Sequence, residues 1–113
     1  MEIRLRFIGV APSDAEIMTS EVERRVNLAL DRLANHVREV HVSLADVNGP
    51  RGGVDQRCVL TITPRYGGDP VVVRALEETR EAAVQKALKR VRRRLEHAFE
   101  RQRGWARPPQ EAV

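Results

Sequence analysis

The chain has 113 residues, one domain's worth on the usual scale of roughly 100–200 residues per domain, and two separate hydrophobic cores are excluded. With 42% hydrophobic and 32% charged residues, it is too apolar for a disordered chain and too charged for a membrane bundle. The net charge of +4 hides an asymmetry: residues 1–85 carry eleven Lys and Arg against thirteen Asp and Glu, a balance of −2, whereas residues 86–113 carry nine against three, a balance of +6.

The first element is a strand. Ile3, Leu5 and Phe7 alternate with Arg4, Arg6 and Ile8, the period of two expected when one face is buried. The same alternation of charge argues against a secretion signal, which needs a continuous apolar stretch. Ser13-Asp14-Ala15-Glu16 has the spacing of a capping box and predicts a helix from Ser13 to about Ala34. Its apolar stripe is Ala15, Met18, Val22, Val26, Ala29 and Leu33. Val40, Val42 and Leu44 alternate with His41, Ser43 and Ala45 in a second strand reaching Asp46, and the glycines and proline of Asn48 to Gly53 then make a loop. A third strand runs from about Gln56 to Arg65, with Cys58, Leu60 and Ile62 on one face and Arg57, Val59, Thr61 and Thr63 on the other. Gly67-Gly68-Asp69-Pro70 turns into a fourth strand, Val71 to Ala75, and a last helix runs from near Thr79 to about Arg101.

The order is β-α-β-β-β-α, an α+β fold with a four-stranded mixed sheet. The outward strand positions Arg4, Arg6, His41, Ser43, Arg57, Thr61, Thr63 and Arg74 are polar or basic, which places both helices on the other face. The β-α-β start needs a right-handed crossover and parallel pairing, whereas the short later loops permit antiparallel hairpins. Residues 1–103 form the domain; residues 104–113, with Trp105 and Pro108-Pro109, lack periodicity and read as a flexible tail.

The last helix carries the functional signal. At about 100° per residue, Val84, Leu88, Val91, Leu95 and Phe99 share one narrow arc that faces the sheet. Lys86, Lys89, Arg90, Arg93, Arg94, His97 and Arg101 gather on the far side, with only Glu96 and Glu100 as nearby counter-charges. Like charges at these steps repel one another and cost stability; a solvated face is the plain alternative, and the shortage of counter-charges weighs against it. A rail of this kind suits phosphates, because each Arg or Lys that meets one releases condensed counterions and Arg can bind two oxygens at once. The outward strand positions lack the aromatic pairs that stack single-stranded bases, so structured RNA read by shape and backbone is the better match.

Other residues invite chemistry and do not sustain it. Cys58 lies on the apolar side of its strand as a small hydrophobe, and a lone cysteine agrees with a reducing compartment and hence a cytoplasmic protein. His36, His41 and His97 stand on separate elements without a partner at metal-ligand spacing. Asp46 and Asp55 flank the glycine loop and read as loop-ending residues that bond nearby backbone amides. The loop lacks the Gly-Lys-Ser or Gly-Lys-Thr ending of a phosphate cradle. Neither a catalytic set nor a metal site is expected, and the chain does not read as an enzyme.

Two stretches, His41-Val42-Ser43-Leu44-Ala45-Asp46-Val47-Asn48-Gly49-Pro50-Arg51-Gly52-Gly53-Val54-Asp55-Gln56-Arg57-Cys58 and Ala82-Ala83-Val84 leading into Lys86-Ala87-Leu88-Lys89-Arg90-Val91, resemble the short ribosome hibernation promoting factors and ribosome-associated inhibitors, once called sigma-54 modulation proteins. The resemblance covers about residues 1–103. It implies binding in the mRNA and tRNA channel of the small ribosomal subunit, on 16S rRNA and within the 70S ribosome, so that ribosomes are kept inactive under stress. Lys86, Lys89, Arg90, Arg93 and Arg94 match the family's basic rRNA-contacting surface, and Arg101 continues the same rail. Where many members have an aromatic before the Ala-Ala of the last helix, this chain has Arg80-Glu81. Ending at Val113, it is expected to be a short form, a monomer off the ribosome, with no cofactor, membrane or small-molecule substrate. A regulator acting through protein contacts, without ribosome binding, is the alternative.

Overall fold

A computed structural model describes residues 1–47 and 55–111, with side chains to residue 98. The elements are β1 (Glu2–Ile8), α1 (Pro12–Ala29), a 3-10 helix (Asp31–His36), β2 (Val37–Asp46), β3 (Gln56–Pro64), β4 (Val71–Glu77) and α2 (Arg80–Glu111). The glycine loop predicted over Asn48 to Gly53 lies outside the described residues.

The four strands form one sheet in the order β1-β2-β3-β4. β1 runs parallel to β2, with Leu5 opposite Val42; β2 and β3 are antiparallel, with Leu44 opposite Cys58; β3 and β4 are antiparallel, with Leu60 opposite Val73. This is the mixed sheet expected from the loop lengths. The inward residues Val40, Val42, Leu44, Cys58, Leu60, Ile62, Val73 and Ala75 are buried against Val22 and Val26 of α1 and Ala83, Val84, Ala87, Leu88, Val91 and Leu95 of α2. Both helices therefore cover one face, and the arc read from the α2 sequence is buried from Val84 to Leu95, with the Phe99 side chain outside the described residues. Arg4, Arg6, Arg57 and Arg74 lie exposed on the open face, with His41, Ser43, Thr61 and Thr63 half-buried beside them.

Several boundaries differ from expectation, each for a local reason. The capping box is not used: α1 begins at Pro12 after Ala11, with no side-chain cap. Proline suits a first helical position because its missing N–H has no partner there and its φ is already helical. Ser13 therefore falls inside the helix. α1 also stops at Ala29 and not near Ala34, and the chain tightens into the 3-10 helix, where Leu33 N–H donates to Leu30 O at 2.9 Å. The tighter turn lets Leu30 and Leu33 both enter the core. β2 starts at Val37, which is fully buried, and β4 extends to Glu77, where it still pairs with Gln56. α2 begins one residue after Thr79, whose hydroxyl accepts the Ala82 N–H at 3.1 Å as an N-cap. It runs to Glu111, past the expected end at Arg101, and so overlaps the tail expected over residues 104–113, of which residues 112 and 113 lie outside the described ones.

Candidate nucleic-acid interface

α2 lies over β3 and along β4, the edge strand of the sheet. That placement decides where its basic residues go. Burial of Val84, Ala87, Leu88, Val91 and Leu95 leaves Lys86, Lys89, Arg90, Arg93 and Arg94 exposed. With Val72, Val73 and Arg74 of β4, these five line one groove along the edge of the sheet. The side chain of Arg101 lies outside the described residues.

The five cations are not equivalent. An edge strand turns half of its carbonyls away from the sheet, and two of these are taken up here. Arg90 Nη1 donates to Arg74 O at 2.7 Å, and Arg94 Nη1 donates to Val72 O at 2.6 Å. A carbonyl neutralises nothing, so both guanidinium groups keep their charge and their remaining N–H donors while their planes are held against β4. The same bonds cover the edge against pairing with another strand. Lys86 is partly countered by Glu77, with Nζ 3.6 Å from Oε2. Lys89 and Arg93 have neither an ion pair nor a hydrogen bond among the described residues, and Arg92, outside the groove, is occupied by Glu96 at 3.1 Å. The groove thus combines two free cations, two oriented ones and one shared with a carboxylate.

Arg74 belongs to this surface and was not among the expected site residues. Strand alternation placed it on the outward face; only the pairing order shows that this strand is the edge beside α2. Across the open face, Arg74 stands opposite Val59, which stands opposite Ser43 and then Arg6. Arg4, by contrast, is committed to Glu39 at 2.7 Å and Glu2 at 3.2 Å.

The residues set aside for catalysis take structural places. Cys58 is fully buried, and burial pushes its thiol up to about 12, where it stays protonated and a poor nucleophile. No three His, Cys, Asp or Glu come together as a metal site among the described residues. Asp55 is buried; its backbone carbonyl accepts Val47 N–H at 2.8 Å and its carboxylate accepts the Gln56 side-chain amide at 3.2 Å. Among the described residues no helix is long and apolar enough to cross a membrane.

The fold recurs in solved structures. A ribosomal subunit interface protein from Coxiella burnetii superposes with a TM-score of 0.62 at 11% identity, over 88% of this chain and 99% of that one. The N-terminal domain of Thermus thermophilus Protein Y superposes with a TM-score of 0.58 at 18% identity, over 86% of this chain and 98% of that one. At such identities the likeness is one of fold. Among curated proteins no sequence matches. The sequence pattern itself decides the family: residues 17–103, which hold most of both helices, three of the strands and the whole basic groove, match the model for the sigma-54 modulation protein / S30EA ribosomal protein family, and the chain belongs to that family.

Proposed function

We propose that the chain binds the small ribosomal subunit through the α2–β4 groove, occupies the mRNA and tRNA channel on 16S rRNA, and keeps cytoplasmic ribosomes inactive under stress. The observation that carries the reading is the groove's supply of unpaired charge. Lys89 and Arg93 stand free, and Arg90 and Arg94 are held ready by β4 carbonyls. Such a surface gains from a polyanion through counterion release and places that polyanion by backbone contacts without reading bases. Family membership and a fold shared with a ribosomal subunit interface protein support the ribosome as the source of that polyanion. Occupancy of a channel needs neither turnover nor cofactor.

The test is co-sedimentation of the purified chain with small subunits and with 70S ribosomes. Stoichiometric binding that is lost on replacing Lys89 and Arg93 by Glu supports the reading; binding that survives both charge reversals overturns the groove as its seat. The reading as a regulator through protein contacts has one observation in its favour. Ile8 and Leu76, 41% and 45% exposed, sit at the two ends of one row across the open sheet face. It predicts loss of function from Leu76→Ser with ribosome binding never present.

A further inference from the structure

Away from the basic groove, a cleft of about 550 Å3 lies where the first turns of α1 and α2 meet the start of β3. Its rim holds Asp14, Glu21, Glu78 and Glu81; Glu21 is taken by Arg24 and Arg25 at 2.7 and 2.9 Å, which leaves Asp14, Glu78 and Glu81 against Arg80. This excess of carboxylates repels phosphate. Within the cleft wall two polar atoms of opposite kind stand buried and unpartnered. Gln56 is only 8% exposed, and its Nε2 donates to Asp55 Oδ1 at 3.2 Å, which fixes the orientation of the amide. Gln56 Oε1 is left with no donor. Arg80 Nε is likewise buried without an acceptor, and its Nη1 reaches only the weakly accepting sulfur of Met18 at 3.9 Å. Gln56 is the register partner of Glu77, so the orphan acceptor and the orphan donor flank the same β4–α2 corner. Ile17, 74% exposed, also lines the cleft and gives it an apolar spot.

We propose that this cleft binds an extended, lysine- or arginine-rich segment of a partner protein. Every residue of a peptide backbone carries one N–H and one C=O; both orphan atoms are covered in the free chain, and a rotation of the Gln56 and Arg80 side chains on binding would let the N–H donate to Gln56 Oε1 and the C=O accept from Arg80 Nε. The segment's cationic side chains meet the rim carboxylates, and an apolar side chain covers Ile17. A nucleobase edge also offers a donor beside an acceptor, but the phosphates attached to it would face the carboxylates of Asp14, Glu78 and Glu81. The inference extends the ribosome reading by adding a protein partner to the RNA, and it uses none of the residues of the basic groove.

The experiment probes an array of overlapping peptides, covering the ribosomal proteins of the source organism, with the full chain and its variants. Lysine- and arginine-rich peptides are expected to bind. Gln56→Met, and separately Glu78→Gln combined with Glu81→Gln, should each lower that binding at least tenfold, whereas Lys89→Ala combined with Arg93→Ala should leave it unchanged. Gln56→Met also takes the amide donor from the buried Asp55 carboxylate, so its melting temperature is measured beside its binding, and the exposed pair Glu78→Gln with Glu81→Gln separates lost binding from lost folding. No bound peptide, equal binding by Gln56→Met, or a Gln56 dependence seen for RNA oligonucleotides and not for peptides would each overturn the proposal. Ribosome co-sedimentation of the Lys89 and Arg93 variant fails or succeeds independently of the array, so the two readings can fall separately.

Discussion

At the scale of single residues, similar cations on one helix have different tasks. Lys89 and Arg93 have no partner among the described residues and should each contribute one phosphate contact. Replacing both by Ala should therefore flatten the salt dependence of subunit binding by about one unit per lost contact, read from affinity across a salt series. Arg90→Ala and Arg94→Ala should do more, because each also releases a carbonyl of β4; they should lower the melting temperature as well as the affinity. Elsewhere on the surface, hydrogen bonds from Arg24 and Arg25 lower the Glu21 carboxylate from its ordinary 4.5 to about 2. Its contribution to stability is complete above pH 4.5 and disappears as pH falls through about 2. Glu21→Gln should make the melting temperature fall less steeply across that interval. Cys58, held protonated by burial, should resist thiol reagents in the native state and react on unfolding.

At the scale of elements, α2 is tied to the sheet by its buried arc and begun by a single cap. Leu88 is 5% exposed within that arc, and Leu88→Ala should cost about 2–4 kcal/mol by leaving a cavity, measured by denaturant unfolding. Thr79→Ala removes the hydroxyl that accepts Ala82 N–H and should cost about 1 kcal/mol. Ser13→Ala should cost little, since the predicted cap is not one: proline starts α1 without a side-chain acceptor. The contrast between Thr79 and Ser13 is a direct check on which helix start depends on a side chain.

At the scale of the molecule, the open sheet face, the β4 edge and α2 present positive charge, while the α1 side presents carboxylates. On the proposed function the molecule acts by occupying a site. Inhibition of cell-free translation should therefore be stoichiometric with ribosomes and relieved by ligands of the same channel. Cys58→Ala should leave inhibition intact, and Arg90→Glu with Arg93→Glu should abolish it by setting carboxylates against phosphates. Inhibition far below one protein per ribosome would replace occupancy with catalysis.

What the sequence by itself determined was everything that depends on periodicity. The alternation in Ile3 to Phe7 and Val40 to Leu44, and the narrow arc from Val84 to Leu95, assign the strands, the buried faces and the element order, because a side chain's direction along a strand or helix follows from its position alone. Helix ends were less legible: Pro12 and Ser13 compete for one boundary, and the change of pitch after Ala29 depends on burying Leu30 and Leu33 together. The neighbours of each charge were decided only by the tertiary structure. That β4 is an edge, that its carbonyls engage Arg90 and Arg94, and that Arg74 joins their groove all follow from the order in which strands pair. Contacts between residues far apart in the chain are set by packing, and no local spacing encodes them.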